Sequence, residues 1–225
     1  MAHSTKPIFN PVRIAYWFFR LNGCFQIENF AVHPDADAEQ NQMRTDADLL
    51  GVRFPYRDEL GMKDFAPLAN QKNKTLVLIA EVKRGGVCRL NGPWTNPKEN
   101  NLPRVLSAIG CFSCEEIEAA SSSLYSNEYY ENQATVIRMI AIAAKKNKLY
   151  ENSKPNVLQI TWKEALGFIH SRFREHRLQK TDHGQWNCTG KKLWEYSETQ
   201  DPKQFIQKVL CGMGLTATEV QSTPM

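Results

Sequence analysis

The sequence predicts an α/β fold: a mixed sheet carrying helices, with a helical extension toward the C-terminal end. Three observations predict it. An amphipathic segment at 11–22 is followed by three strand-like runs before residue 84. A β-branched and almost wholly apolar run at 134–143 reads as a buried central strand. Beyond 161, apolar residues recur at helical spacing. The predicted order is helix, strand, strand, strand, helix, strand, strand, helix.

Taking the elements in turn, Pro11 suits the first turn of a helix, and Val12, Trp17, Phe18, Phe19 and Leu21 give it a broad apolar face. Asn22-Gly23 stops it. Residues 24–32 alternate as a strand, with Phe25, Ile27 and Asn29 on one face and Gln26, Glu28 and Phe30 on the other. The polar stretch at 33–42 is a loop, as is 55–74. Between and after these lie two apolar runs, 45–54 and 75–84, which suit neighbouring strands. The glycines and proline after Lys83 mark a turn-rich loop. In it, Trp94 serves either as an apolar plug or as a stacking surface for a base.

Helices are expected at 101–109 and 115–125, and a short strand at 157–160. Thr161 and Glu164 form a capping box that opens a long helix through Lys180. The aromatic-rich segment 182–194 reads as irregular, and 201–210 as a final helix. We divide the chain into a core at 1–160, a helical extension at 161–215 and a disordered tail at 216–225.

With 42% hydrophobic and 23% charged residues, the 225-residue chain has an ordinary globular composition. It shows no membrane-spanning run and no signal peptide, which points to the cytoplasm. The six cysteines read as reduced, mostly buried thiols. Cys111 and Cys114 form a lone C-x-x-C without the second pair that a zinc site needs. The net charge of +4 permits nucleic-acid binding without requiring it.

Chemistry concentrates between Asp46 and Lys83. Alternate residues of a strand share a face, so Glu81 and Lys83 project together, as do Asp46 and Asp48. If the two strands pair, one carboxylate from each and one ammonium converge. Hard divalent cations are held by such carboxylates. Far along the chain, helical spacing places Arg172, His176 and Lys180 on one stripe, with Arg174 and Arg177 beside it. That stripe suits a phosphate backbone and equally suits the negative end of a helix.

An acidic residue on one strand followed by Glu81-Val82-Lys83 on the next resembles the PD-(D/E)XK nuclease superfamily. The likeness is nearest to its restriction-endonuclease-like and Holliday-junction-resolvase-like branches, and it spans about residues 11–160. It implies a restriction-endonuclease-like core of helix-strand-strand-strand-helix-strand. It also implies Mg²⁺, or Mn²⁺, held by Asp48, Glu81 and the carbonyl of Val82. Asp46 is the fallback for Asp48, and Glu28 matches an extra acidic position but equally suits a sheet edge. Lys83 would orient or deprotonate the attacking water. The expected activity is phosphodiester hydrolysis, as a DNA endonuclease in restriction, defence or repair. Arg84, Arg172, His176, Arg177 and Lys180 are expected to contact nucleic acid. The expected assembly is a homodimer or a subunit of a larger complex. Two other classes stay open: an inactive nuclease-fold protein that only binds nucleic acid, and an interaction module.

Overall fold

Helix α1 (Pro11–Leu21) begins where Asn10 caps it, its Oδ1 accepting the Val12 amide proton at 2.8 Å, with Pro11 in the first turn. The computed structural model describes residues 7–34, 45–59, 61–69, 73–181, 186–216 and 219. Gly23, at φ 76, turns the chain out of α1. Strands β1 (Phe25–Val32), β2 (Thr45–Arg53) and β3 (Thr75–Val82) then form an antiparallel meander. A four-residue helix, α2 (Ala66–Ala69), lies in the connection expected to be irregular, and Leu68 anchors it in the core. The loop expected at 33–42 lies largely outside the described residues.

After β3 the chain passes through two short 3-10 turns and helices α3 (Asn101–Ile109) and α4 (Cys114–Asn127). Ser113 and Glu116 close a capping box that starts α4. The chain returns as β4 (Tyr129–Glu131) and β5 (Thr135–Ala143), then α5 (Tyr150–Ser153) and β6 (Leu158–Thr161). Strand β5 runs parallel to β3, from Thr75↔Thr135 to Val82↔Ile142. Two strands share its other edge: β4 pairs antiparallel with residues 136–138, and β6 pairs parallel with residues 140–143. Among the described residues the result is an open, mixed, six-stranded sheet in an α/β fold. No described helix is long and apolar enough to cross a membrane.

Helix α6 (Trp162–Glu175) starts at the predicted capping box of Thr161 and Glu164. Helices α7 (Cys188–Tyr196) and α8 (Pro202–Gly212) follow. Strand alternation divides the core. Leu76, Leu78 and Ala80 face α1 and α6, and share their cluster with Phe173, Leu193, Phe205 and Val209. Val77 and Ile79 face the opposite side, with Trp94, Leu106, Leu124 and Met139. Residues 161–215 therefore share one core with the sheet.

Several boundaries differ from the sequence reading. Helix α6 stops at Glu175 rather than Lys180, with His176 as its C-cap at φ −119. The turn beyond it lets Arg177 and Lys180 reach Glu198 and Glu59. Helix α7 forms where an irregular segment was expected; residues 182–185 lie outside the description. Asn187 caps it, and Gly190 admits the Trp17 ring, which a Cβ there would meet at 1.9 Å. That glycine is required by packing, so it weakens the helical signal without breaking the helix. All six cysteines are free thiols, but Cys111, Cys114, Cys188 and Cys211 are exposed, against the expected burial. The tail expected from Thr216 falls outside the described residues except for Thr216 and Glu219.

Candidate active site

The β1–β2 ladder breaks at one position. Glu28↔Leu49 and Phe30↔Ala47 are in register, but Asn29, at φ 50, makes no ladder pair with Asp48. The break shifts the side-chain alternation. Leu49 points to the α1 face, while Ala47 and Leu50 both join the α3 face. Phe30 also packs on the α3 face instead of sharing a side with Gln26 and Glu28. Strand β2 therefore turns at Asp48 relative to a regular strand.

The β2–β3 ladder ends at Leu49↔Ala80, one pair short of Asp48 and Glu81. The side chain of Asp48 continues it, because its Oδ2 accepts the Val82 amide proton at 2.7 Å. In an extended strand the C=O of a residue points the same way as its N–H. The Val82 carbonyl thus faces the Asp48 side.

Glu81 points to the α3 face and is 4% exposed. Its Oε1 accepts from Lys83 Nζ at 3.1 Å and from Asn91 Nδ2 at 2.7 Å. Asn91 Oδ1 in turn accepts from Lys83 Nζ at 2.8 Å, closing a triangle of three side chains. Asn91 was missed from the sequence. The only available hint was the Asn91-Gly92-Pro93 turn a short loop beyond Lys83.

The loop that carries Asn91 is fixed from three sides. Trp162 Nε1 donates to the carbonyls of Lys83 and Arg84, at 3.1 and 2.8 Å. Tyr150 Oη accepts the Leu90 amide at 3.0 Å. Trp94, 2% exposed, fills the core beneath α3, so of its two readings the plug is the one observed.

Glu81 Oε2 is buried and receives no hydrogen bond while both carboxyls are ionised; a proton on Glu81 would be shared with Asp48. Burial, then the Asp48 carboxylate, push the Glu81 carboxyl up to about 7, against the opposing pull of Lys83. Two carboxylates side by side with one unpartnered oxygen are relieved either by a proton or by a cation. Among the described residues no group of three or more His, Cys, Asp or Glu side chains converges. A cation here would thus take its protein oxygens from Asp48, Glu81 and the Val82 carbonyl. An all-oxygen set of this kind fits a hard ion such as Mg²⁺ or Mn²⁺.

Other expected residues lie elsewhere. Glu28 projects to the α1 face, opposite to Glu81, where Arg13 Nε bonds its Oε2 at 2.8 Å. Burial raises the Glu28 carboxyl and Arg13 lowers it, as suits a sheet-edge ion pair. Asp46 sits opposite Ala31, beyond the break and away from the end of the β2–β3 ladder.

The basic stripe does not assemble as a surface. Arg172 is 3% exposed, stacks on Phe168 and bonds the Lys63 carbonyl, with Asp64 Oδ1 at 3.7 Å. Lys180 is paired with Glu59. Arg177 lies over the Trp194 ring and pairs with Glu198 at 3.1 Å. His176 caps the helix end. For Arg177 and Lys180 the sequence spacing assumed that α6 continued, whereas they lie beyond its end and bind Glu198 and Glu59; Arg172 keeps its helical place but on the buried side of α6. Arg84 is exposed, directly after Lys83.

Comparison with protein-family models, curated proteins and solved structures finds no match.

Proposed function

We propose that the chain is a divalent-metal-dependent nuclease of the PD-(D/E)XK type, hydrolysing phosphodiesters of DNA on a restriction-endonuclease-like core. The observation that carries this reading is the Asp48–Glu81 pair, with its buried, unpartnered Oε2, beside Lys83 on one strand end. The order of α1, the β1–β2–β3 meander, α3–α4 and parallel β5 supports it as well.

When bound, Mg²⁺ or Mn²⁺ supplies a more acidic water and charge stabilisation at the phosphate. Asp48 and Glu81 would hold it, together with the Val82 carbonyl. Lys83 Nζ stands next to these carboxylates without being a ligand, placed to orient the attacking water and to balance charge developing on the phosphate. Asn91 holds Lys83 and Glu81 at fixed spacing, and Trp162 fixes the backbone of Lys83. Arg84, exposed at the rim, is the proposed contact to a neighbouring phosphate. A homodimer would bring two such sites to the two strands of a duplex.

The test is incubation of the purified chain with supercoiled plasmid in Mg²⁺, with EDTA as the control. Nicking or linearisation that requires the metal is expected, and it should vanish in Asp48→Asn and in Glu81→Gln. Cleavage that survives both substitutions overturns this site. The absence of metal-dependent cleavage on plasmid, linear duplex and single-stranded DNA alike overturns the activity.

A further inference from the structure

At the far end of β2 from Asp48 the surface opens into a cleft of about 630 Å³. It is lined by Tyr16, Arg20, Gln26, Phe25, Phe54 and Arg57, with Cys24 and Pro55 in its wall. Phe54 follows β2, six residues beyond Asp48. At about 3.3 Å per residue the two lie roughly 20 Å apart.

Three features of the cleft point to one kind of ligand. Phe25 and Phe54 form an edge-to-face pair with centroids 5.9 Å apart, yet they stay 70% and 58% exposed. Large aromatic rings left in water beside a cleft offer flat surfaces for another ring. The second feature is positive charge. Arg20 is exposed at the end of α1, with its guanidinium over the Trp17 ring. Arg57 lies on Gly23 and belongs to a half-buried ion cluster. Among the described residues that cluster ion-pairs four cations, Arg53, Arg57, Arg172 and Lys180, with two carboxylates, Asp64 and Glu59. The excess of cations behind the cleft favours an anion at its mouth. The third feature is Gln26. Its Nε2 donates to the Tyr16 carbonyl at 2.7 Å, while its Oε1 is buried without a partner. An unpartnered amide oxygen can accept from a ligand N–H.

Stacking rings, positive charge with no carboxylate among the described lining residues, and one free acceptor suit an unpaired nucleotide better than an apolar ligand. We propose that this cleft is a nucleotide-binding subsite for a single-stranded segment of nucleic acid. The base lies against Phe25 and Phe54, and the phosphate faces the exposed Arg20, with Arg57 and its ion cluster behind it. The choice of nucleic acid rests on the function proposed above, but the cleft is separate from the carboxylate site and can be tested without cleavage.

The experiment measures binding of the full chain to a fluorescent single-stranded oligothymidylate in EDTA, by anisotropy across a salt series. Phe54→Ala should weaken binding about tenfold, the scale of one stacked base. Arg20→Ala should reduce the slope of log K against log salt by about 0.7, the loss of one phosphate contact on a single strand. A blunt duplex should be indifferent to Phe54→Ala. Phe54 is exposed, so the fold should be retained, and circular dichroism checks it. Parent-like binding by both variants, or no binding by the parent, overturns the subsite. A change in sedimentation mass for Phe54→Ala also overturns it, by making the rings a contact between copies. Specific binding without any metal-dependent cleavage would leave the subsite standing and remove the nuclease reading.

Discussion

Asp48 Oδ2 takes the amide proton of Val82 at 2.7 Å, where the backbone of β2 has stopped pairing with β3. One carboxylate thus completes the sheet and also stands beside Glu81. These two roles separate by substitution. Asparagine keeps an acceptor for Val82, whereas alanine removes it. Asp48→Ala should be less stable than Asp48→Asn by about 1 kcal/mol in urea unfolding, the scale of one net hydrogen bond. Both should lose Mn²⁺ binding in calorimetry. Equal stability of the two would mean that the cap is not stabilising.

Glu81 gives a pH dependence with a definite sign. Its carboxyl is raised from 4.5 to about 7, so between these values the folded chain holds a proton that the unfolded chain releases. In the absence of metal, stability contributed by this group is present below pH 4.5 and declines as pH rises through about 7. Glu81→Gln keeps an acceptor for Lys83 and Asn91 and offers Asp48 an N–H. It should flatten the decline and be more stable than the parent at pH 8, on the order of 1–3 kcal/mol. Thermal melts in EDTA from pH 4 to 9 measure this. A parent curve parallel to that of Glu81→Gln would refute it. For the same reason, Mn²⁺ affinity of the parent should rise with pH up to about 7 and then level off.

Lys83 and Asn91 should separate chemistry from binding. Lys83 bonds the carboxylate and the amide but would not ligate a cation. Lys83→Ala should keep Mn²⁺ affinity and lower single-turnover cleavage on the order of 10²-fold or more. Lys83→Arg should not restore it fully, because guanidinium stays protonated. Asn91→Ala should cost less, about tenfold, by loosening the lysine, while Asn91→Asp should perturb metal affinity by adding charge. Normal cleavage by Lys83→Ala would make the Glu81-Val82-Lys83 spacing accidental.

Arg172 should behave as a core residue. Its guanidinium is buried against Phe168 and near Asp64. Arg172→Ala removes the bond to the Lys63 carbonyl and the packing on Phe168, while Asp64 keeps Arg53 and Arg57, and should cost about 1–3 kcal/mol in denaturant unfolding. The salt slope of nucleic-acid binding, measured while the variant is still folded, should match the parent. A stable variant with a shallower slope would return Arg172 to the binding surface.

Much of this molecule was legible in one dimension. The buried strands announced themselves because both faces of β3 and β5 are covered, so apolar residues run almost without interruption. The capping box at Thr161 and Glu164 and the proline starts of α1 and α8 are local chemistry, fixed within one turn. The common face of Glu81 and Lys83 follows from the period of a strand alone. Tertiary structure decided the rest. The break at Asn29 and Asp48 is a disagreement between two strands, invisible in either, and it aims Asp48 at Val82 while leaving Glu28 on the opposite face. Asn91 reaches Glu81 only because Trp162 and Tyr150, distant in sequence, hold its loop. Arg177 and Lys180 looked like part of a surface because helical periodicity was extended past Glu175, and Arg172, inside α6, because its burial is invisible in the sequence. In the fold, Asp64, Glu59 and Glu198 draw them inward, since a cation placed near a carboxylate in a half-buried setting gains more than it would in water.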